Sequence, residues 1–355
     1  MKKNLLLITT GGTISQTEID GIFHIDKSKD GNCLLSQILQ KTDELNINTI
    51  DVCDLFQLDS SNITPIYWKK IIDEIVINYS KYDAFIILHG TDTLSYTCAA
   101  LSYAMSNLDK PVILTGSQVP FNSVGSDAEL NLENAIRVAT QDIVKLKGII
   151  CVFGSHIISG TRVKKLSEFN YDAFENFNSS ELGRIGTKLR FNPIQVDKHN
   201  SKYGDAKNSE DLIIIPNFSM DSIMVLNEFP GLNEKYFKVL VDSGVKGFVL
   251  RSYAGGNSNV GKFSDTFENL RSAYEYLQQN KIALAVISQP FQGNTTMDAY
   301  EPGKLAKELG GIPAYDMSTE ALCVKLGWLI GQNLSYEEIR NSLLQNIRGE
   351  IEINN

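Results

Sequence analysis

The sequence has no disulfide framework and no apolar run long enough to cross a membrane. Its five cysteines are an odd, scattered set without a C-x-x-C pair, unlike those of secreted disulfide-rich domains or zinc knuckles. They are Cys33, Cys53, Cys98, Cys151 and Cys323. No run approaches the ~18 apolar residues of a membrane helix, and the short run from Leu5 to Ile8 leads into Thr-Thr-Gly-Gly instead of a signal-peptide cleavage site. These absences predict a cytoplasmic protein.

An excess of positive charge is also absent. With 42 acidic and 33 basic residues the formal net charge is −9, and phosphate binding depends on a Lys and Arg surface, so we expect no nucleic-acid partner. The four histidines, His24, His89, His156 and His199, show no H-x-x-x-H spacing, which disfavours a zinc hydrolase. The sequence also lacks a P-loop, a G-x-G-x-x-G fingerprint and a G-x-S-x-G nucleophile elbow.

Three strand-like apolar runs each end in small hydroxyl and glycine residues. They are Leu5 to Ile8, followed by Thr9-Thr10-Gly11-Gly12-Thr13; Phe85 to Leu88, followed by His89-Gly90-Thr91-Asp92-Thr93; and Val112 to Leu114, followed by Thr115-Gly116-Ser117-Gln118. In a parallel α/β sheet, ligands bind outside the carboxyl ends of the strands. We therefore expect the three endings to build one pocket.

Short apolar strands alternate with helix-like stretches, which predicts a parallel sheet covered by helices. A chain of 355 residues exceeds one typical domain, and the sequence turns polar between Val196 and Asp211. We predict a larger N-terminal α/β domain, residues 1–195, with a flavodoxin-like, doubly wound parallel sheet. A linker at 196–211 and a smaller C-terminal α/β domain at 212–355 would follow.

Individual elements can be predicted from caps and apolar periodicity. The clearest helix begins at Thr64-Pro65 and carries an apolar stripe formed by Trp68, Ile71, Ile72, Ile75 and Val76. Another helix is predicted from Asp127 to Thr140. Further strands are expected at 148–153, 212–215, 247–250 and 283–288, and further helices at 302–308, 318–331 and 335–345.

The residues after the strands allow more than one chemistry. The turn at Thr10 to Thr13 is either an ordinary tight turn or an oxyanion site beside a Thr nucleophile. Asp92 is either a pocket carboxylate or the N-cap of the next helix. For His89, at the end of a strand, we expect a structural hydrogen-bonding role. The base for a threonine could be a lysine from Gly160-Thr161-Arg162-Val163-Lys164-Lys165, a segment that otherwise forms a solvated basic face.

Taken together, these residues resemble the bacterial-type L-asparaginase family, and within it the cytoplasmic type I branch. The family's motifs T-G-G-T-I and H-G-T-D-T occur here as Thr10 to Ile14 and His89 to Thr93, and the resemblance covers nearly the whole chain. Supporting segments are Asp59-Ser60-Ser61, Thr115-Gly116-Ser117-Gln118, Ser126-Asp127 with Asn131 and Asn134, Tyr171-Asp172-Ala173-Phe174, and Leu250-Arg251-Ser252-Tyr253 with Gly255-Gly256-Asn257.

The resemblance implies hydrolysis of L-asparagine to L-aspartate and ammonia, without a metal or organic cofactor. It makes Thr13 the nucleophile of a covalent acyl-enzyme, with backbone amides near Gly12 and Thr91 holding the oxyanion. Thr91, Asp92 and Lys165 would relay protons, with Lys164 one residue out of register. Ser60 would hold the substrate's α-carboxylate, and Asp92 its α-ammonium group. The implied substrate-binding residues are Gly12, Asp59, Ser60, Ser61, Gly90, Thr91, Asp92, Ser117 and Asn257.

One residue typical of the family is missing. The family usually carries a tyrosine in the mobile loop after the first motif, where this chain reads Asp20-Gly21-Ile22-Phe23-His24. A phenylalanine excludes water but cannot relay a proton. Thr17, His24 or the Lys165 cluster are the candidates to activate Thr13 in its place.

The resemblance also implies homodimers or homotetramers in which Asn257 of a neighbouring chain completes each site. In the periplasmic branch of the family the neighbour also supplies a carboxylate, and Asp298 and Glu301 lie in the corresponding stretch of this chain. Two other functions stay open. A glutaminase-asparaginase differs by one methylene of substrate, worth about 1–3 kcal/mol in a pocket. An amino-acid-binding regulatory protein would keep the pocket without turnover. The related amidotransferases that act on transfer RNA carry an extra N-terminal module, and we do not expect that role here.

Overall fold

The computed structural model describes residues 2–12, 16–19, 22–25, 45–261 and 269–352, of which 16–19 and 22–25 are described by their backbone alone. The chain divides into two compact units, Met1–Pro216 and Asn217–Asn355. The polar segment at 196–211, which we predicted to be a linker, therefore lies inside the first unit. A helix covers its beginning because Pro193 occupies the first turn and the side chain of Asn192 accepts the N–H of Gln195 at 3.4 Å.

Within its described residues, the first unit contains fourteen strands and four α-helices. The strands are β1 Lys3–Gly11, β2 Gln16–Ile19, β3 Ile22–Ile25, β4 Ile47–Leu58, β5 Ala84–Leu88, β6 Met105–Ser106, β7 Pro111–Thr115, β8 Gly148–Phe153, β9 His156–Ser159, β10 Val163–Lys165, β11 Phe174–Asn176, β12 Gly183–Ile185, β13 Leu189–Phe191 and β14 Ile213–Ile214. The helices are α1 Pro65–Asn78, α2 Leu94–Ala104, α3 Ala128–Thr140 and α4 Pro193–Asn200.

Eight strands form the main sheet of the first unit, in the order β13-β12-β9-β8-β7-β5-β1-β4. The five neighbouring strands β4, β1, β5, β7 and β8 are parallel. Strands β9, β12 and β13 extend the sheet by antiparallel pairing. Counted along the chain within this sheet, the parallel strands are ordered second, first, third, fourth and fifth. This is the flavodoxin-like, doubly wound order, so the predicted fold class is confirmed, and the order reverses between β1 and β5.

Both faces of this sheet are covered. Leu5, Leu7 and Ile86 are buried in one apolar cluster with the inner face of α3. The alternating residues Leu6 and Ile87, which point to the opposite face, are buried as well. Burial on both faces explains why the strands read as continuous apolar runs in the sequence.

Most predicted elements of the first unit agree with the structure. Thr64 is the N-cap of α1 and Pro65 opens the helix, while Val76 is half-buried and the other residues of the apolar stripe are buried. The strand predicted at 212–215 exists as β14, but it pairs with β6 in a separate two-stranded sheet of the first unit. The prediction that it starts the second domain did not account for this pairing.

The second unit is a smaller α/β fold, as predicted. Its strands are β15 Ile223–Asn227, β16 Gly247–Ser252, β17 Ala283–Ser288 and β18 Ile312–Pro313, and its helices are α5 Lys235–Asp242, α6 Arg271–Gln279, α7 Glu301–Glu308, α8 Thr319–Gly331 and α9 Tyr336–Leu343. The four strands are parallel and lie in chain order. None of the helices in the described ranges is long and apolar enough to cross a membrane.

A buried ion pair ties the end of the chain to α8. The Nζ of Lys325 lies 2.6 Å from Oε1 of Glu350, and both side chains are fully buried. Lys325 also donates to the carbonyl of Gln345 at 2.6 Å, and Glu350 accepts the N–H groups of Ile347 and Arg348 at 3.0 and 2.6 Å. These bonds satisfy the two buried charges.

Candidate active site

The three predicted strand endings lie side by side in the sheet. Strands β1, β5 and β7 are neighbours, and β1 and β5 flank the point where the strand order reverses. This is the place where doubly wound sheets bind ligands. Thr13, the predicted nucleophile, lies outside the described residues. Thr17 and His24 pair in register across β2 and β3, with the side chains not described.

Glycines bring the backbones of these endings into direct contact. Gly12 has a φ of +80°, and a Cβ on it would lie 2.3 Å from the Cα of Gly90. A Cβ on Gly90 would lie 2.7 Å from the Oγ of Ser60, and one on Gly116 would lie 2.1 Å from the carbonyl oxygen of His89. Since real Cβ atoms do not approach so closely, only glycine fits at these positions.

The two amides proposed for an oxyanion differ in availability. The N–H of Gly12 donates to the carbonyl of Leu58 at 2.8 Å, so it cannot also serve a ligand. The N–H of Thr91 has no hydrogen-bond partner within the part of the chain that the structure describes. The amide of Gly12 itself is therefore engaged within the protein, and the expectation of a further donor near Gly12 falls on residues outside the described ranges, whereas the amide of Thr91 is unpaired among the described residues.

The Asp59-Ser60-Ser61 segment follows β4 and forms a short turn against the second motif. Asp59 accepts both the N–H and the O–H of Ser61, at 2.9 and 2.6 Å. The Oγ of Ser60 accepts the N–H of Asp92 at 3.2 Å, and its carbonyl accepts the hydroxyl of Thr93 at 2.7 Å. Ser60 is buried, and its hydroxyl donates to no acceptor among the residues that the structure describes.

Lys165 joins the two polar residues of the second motif. Its Nζ donates to the Oγ1 of Thr91 at 2.8 Å and to Oδ1 of Asp92 at 2.7 Å. Thr91 is 6% exposed, and the side chains of Lys165 and Asp92 are 23% and 63% exposed. In the hairpin of β10 and β11, Lys164 lies one position along and pairs with Glu175. The structure thus brings Thr91, Asp92 and Lys165 together.

Asp92 does not cap the following helix. The N-cap of α2 is Thr93, and no side chain donates or accepts a capping bond there. The carboxylate of Asp92 instead pairs with Lys165 at the surface. Of the two interpretations offered by the sequence, the geometry favours the pocket carboxylate.

His89 has a structural environment. Its Nδ1 lies 2.7 Å from the carbonyl of Gly90 and its Nε2 lies 2.9 Å from the Oγ1 of Thr97, which also accepts the Trp68 indole N–H at 3.0 Å. Burial lowers the pKa of His89 to about 4, so the ring is neutral at pH 7. Because a carbonyl only accepts, Nδ1 carries the proton. His89 therefore orients the peptide between Gly90 and Thr91.

Two further predicted site residues have buried polar atoms. Ser117 follows β7 and is fully buried, and its Oγ has no hydrogen-bond partner among the described residues. Asn257 belongs to the second unit, directly after the turn Ala254–Gly256, and its Oδ1 likewise has no partner in the described ranges. Across the residues that the structure describes, no three His, Cys, Asp or Glu side chains cluster as a metal site requires.

A hydrogen-bond network surrounds Asp127, a residue to which the sequence patterns assign no role. Both carboxylate oxygens accept the N–H of Gln118 at 3.0 Å, and one of them accepts the N–H of Val119 at 3.0 Å. Asn131 links this carboxylate to the carbonyl of Gly116, at 2.9 Å to each. The sequence signal was present, since these residues stand in the segments that carried the resemblance, but it gave them no role.

Comparison with known proteins gives consistent matches along the chain. The family model "Asparaginase, N-terminal" matches residues 4–196, and "Glutaminase/Asparaginase C-terminal domain" matches residues 222–343. L-asparaginase 1 of Escherichia coli (strain K12) is 31% identical over 351 residues, which are 99% of this chain and 98% of that protein.

The chain is also similar to a solved L-asparaginase structure and to an amidotransferase subunit. L-asparaginase I from Vibrio cholerae O1 biovar eltor is 30% identical with a TM-score of 0.83, covering 99% of this chain and 100% of that one. A glutamyl-tRNA(Gln) amidotransferase subunit from Methanococcus maripaludis is 29% identical over 98% of this chain and 81% of its own length.

Proposed function

The chain belongs to the asparaginase family of amidohydrolases, and from this premise we propose that it hydrolyses L-asparagine to L-aspartate and ammonia. The observation that carries the proposal is the contact of Lys165 with both Thr91 and Asp92, at 2.8 and 2.7 Å. A hydroxyl, an ammonium and a carboxylate in direct contact can move a proton beside a bound amide.

The polar groups around the pocket suit a free amino acid. The Ser60 hydroxyl donates to the α-carboxylate of the substrate, and the exposed carboxylate of Asp92 pairs with the α-ammonium group. Asp59 and Ser61 hold the turn that places Ser60. This fork fixes the orientation of the side-chain amide, and orientation supplies roughly up to ~7–11 kcal/mol of barrier reduction in well-aligned reactions.

Thr13 is the nucleophile in this proposal. Its Oγ adds to the side-chain carbonyl carbon, and the N–H of Thr91 stabilises the resulting oxyanion. The C–N bond breaks, the leaving nitrogen takes up the proton from the Thr13 hydroxyl, and ammonia departs. Water then adds to the aspartyl ester, and breaking the ester C–O bond returns a proton to Thr13 and releases L-aspartate. Thr91 and Lys165 pass the protons in both steps.

A second candidate function comes from the relative named as part of an amidotransferase. In that role the chain would release ammonia from an amide donor for use on a second substrate. Turnover of free asparagine by the isolated protein is the result that would favour the hydrolase over this role. Glutamine, which is one methylene longer, is the alternative substrate, and a pocket separates the two by about 1–3 kcal/mol.

The working form and location follow from the same proposal. We expect a homodimer or homotetramer in the cytoplasm, in which Asn257 of a neighbouring chain completes each site. A monomer should then be inactive, so activity per chain falls on dilution into a demonstrably monomeric state. Constant activity under those conditions contradicts the shared site and leaves the hydrolase proposal intact.

Ammonia release by the purified protein tests the function directly. We expect turnover of L-asparagine to exceed that of L-glutamine and to vanish in Thr13→Ala, with Thr91→Ala also strongly impaired. Undiminished turnover in Thr13→Ala would remove Thr13 from the mechanism. No turnover by the wild-type protein, with asparagine still raising its melting temperature, would indicate the amino-acid-binding protein instead.

A further inference from the structure

The side chain of Gln118 links the segment after β7 to the loop that follows Lys165. Its Nε2 donates to the carbonyl of Ser167 at 3.1 Å and to the carbonyl of Asn170 at 3.3 Å. Both carbonyls belong to residues 166–173, the loop that joins β10 to β11. Since Lys165 is the last residue of β10, this loop begins directly after the lysine that contacts Thr91.

The loop 166–173 is held by polar contacts. It is closed at its base by the N–H of Leu166, which donates to the carbonyl of Ala173 at 2.8 Å. Phe169 at its tip is 91% exposed and gives no apolar anchor. Besides Gln118, the hydroxyl of Tyr171 donates to the carbonyl of Gly125 at 2.7 Å. A short hairpin with an exposed tip depends on such bonds for its position.

The backbone of Gln118 is itself held by hydrogen bonds to buried residues. Its backbone N–H is held by both oxygens of Asp127, which is 6% exposed and precedes α3. The side chain of Asn131 on α3 donates to Asp127 and to the carbonyl of Gly116, and it accepts the N–H of Gly154 at 2.9 Å. The ends of β7 and β8 and the start of α3 are therefore linked beneath Gln118.

We propose that Gln118 is a positioning residue for Lys165. By holding the loop 166–173 against the end of β7, it keeps the backbone of Lys165 where the Nζ reaches Thr91 and Asp92. A lysine side chain has several rotatable bonds, so the position of its backbone decides how often the ammonium meets both partners. This inference rests on the proposed function, because the lysine matters only where protons must move.

Two substitutions separate the hydrogen bonds of Gln118 from its bulk. Gln118→Met keeps the length of the side chain and removes both donations. Gln118→Glu places a carboxylate against two carbonyl oxygens and reverses the contact into repulsion. Both leave the backbone bonds to Asp127 in place.

Gln141 offers a matched control in the same unit. Its Nε2 donates to the carbonyl of Val144 at 2.8 Å, and its Oε1 accepts the N–H of Ile143 at 2.7 Å. It clamps a loop as Gln118 does. Its carbonyl accepts Lys3 Nζ at 3.3 Å, which places it near the amino end of β1, away from the pocket. Gln141→Met removes the bonds of the Gln141 amide to Ile143 and Val144 without touching the loop of Lys165.

The experiment combines amide hydrogen exchange with steady-state kinetics. We expect Leu166 to exchange at least about tenfold faster in Gln118→Met and to be unchanged in Gln141→Met. The kcat for asparagine should fall by about tenfold or more in Gln118→Met and further in Gln118→Glu, because small misplacement of a catalytic group lowers the rate steeply. KM should change by less than about threefold, since Ser60 and Asp92 are not moved.

The outcomes separate this inference from the proposed function. If the wild-type protein releases no ammonia from asparagine, the proposed function fails. If the wild type is active and Gln118→Met keeps its kcat within about twofold, the positioning role is overturned, whatever the loop does. A loss of kcat that Gln141→Met reproduces would overturn it as well, because the effect would then come from general loosening of the unit.

Discussion

A Cβ built on Gly90 would lie 2.7 Å from both the Cβ and the Oγ of Ser60. The second motif and the turn after β4 therefore meet through a glycine that no larger residue can replace without displacement. We expect Gly90→Ala to lower the free energy of unfolding of the first unit by about 1–3 kcal/mol. The activity should fall more steeply, by about 100-fold, because Thr91 and Asp92 move with the displaced backbone.

The matched control for this substitution is Gly186→Ala. A Cβ on Gly186 meets nothing closer than the carbonyl oxygen of Lys188 at 4.0 Å. Fluorescence reports the two units separately, since the two tryptophans of the chain are Trp68 in the first unit and Trp328 in the second. Denaturant titration in a Trp328→Phe background isolates the first unit. Equal stability of the two alanine variants would contradict the steric argument.

Substituting Lys165 and Lys164 in turn tests which of these two adjacent lysines turnover requires. Lys165→Met removes the ammonium that contacts Thr91 and Asp92 and should lower kcat by about 100-fold or more. Lys164→Met leaves those contacts intact and should change kcat by less than about threefold. Ammonia release at saturating asparagine measures both. Equal losses would show that the geometry at Lys165 is not what turnover requires.

The stability of the first unit should fall as the pH is lowered below 6.5. Burial lowers the pKa of His199 to about 4, so between these values the unfolded chain binds a proton that the folded chain excludes. The stabilisation is complete above pH 6.5 and declines as the pH falls towards 4, by about 3 kcal/mol for this group. In His199→Gln the fall should be correspondingly smaller.

Denaturant titrations at pH 7, 6, 5 and 4.5 measure this dependence. The amide of glutamine can still accept from Ser159 and donate to the carbonyl of Lys147, which lie 2.9 and 2.8 Å from the histidine nitrogens. The substitution therefore removes the titration and keeps the hydrogen bonds. Identical pH slopes for wild type and variant would assign the acid sensitivity to other groups.

Removing one partner of the Lys325–Glu350 ion pair should lower the free energy of unfolding of the second unit more than removing both charges. Lys325→Met leaves the Glu350 carboxylate buried without its partner, which destabilises by about 3–5 kcal/mol. Adding Glu350→Gln removes the unpaired charge, so the double variant should recover part of the loss. Fluorescence of Trp328 in a Trp68→Phe background measures the second unit. A double variant less stable than the single one would contradict this account.

Much of the fold could be predicted because local signals and tertiary structure agree. The apolar runs before Gly12, His89 and Gly116 are parallel strands that are buried on both faces, and their endings meet at one edge of the sheet. The helix after Thr64 begins where its cap and proline indicate. Such elements carry their pattern within a few residues, so the sequence displays them directly.

The predictions that differ from the structure depended on contacts between distant residues. The strand at 213–214 pairs with Ser106 and Met105, far away in the sequence, and this pairing assigns it to the first unit. The polar segment after Val196 looked like a linker because nothing local shows that Val196 and His199 are buried.

The candidate site divides in the same way. The second motif contains Thr91 and Asp92, and the family resemblance gives Lys165 by counting back from the segment Asp172-Ala173-Phe174. Two contacts could not be predicted: the hydrogen bond from the Gly12 N–H to the carbonyl of Leu58, and the bonds from Gln118 to the loop 166–173. Each joins residues far apart in the sequence, and no short sequence pattern contains both partners. The role of Thr13 stays a prediction.

The glycine contacts at Gly12, Gly90 and Gly116 have a consequence for engineering. Gly12 and Gly116 touch neighbouring peptide groups and Gly90 touches the side chain of Ser60, so a side chain added at any of the three would displace the wall between the strand ends. A variant library aimed at longer amide substrates would gain nothing from these three codons. Side chains whose size can be chosen stand beside this wall, at the buried Ser117 and in the loop that follows Lys165.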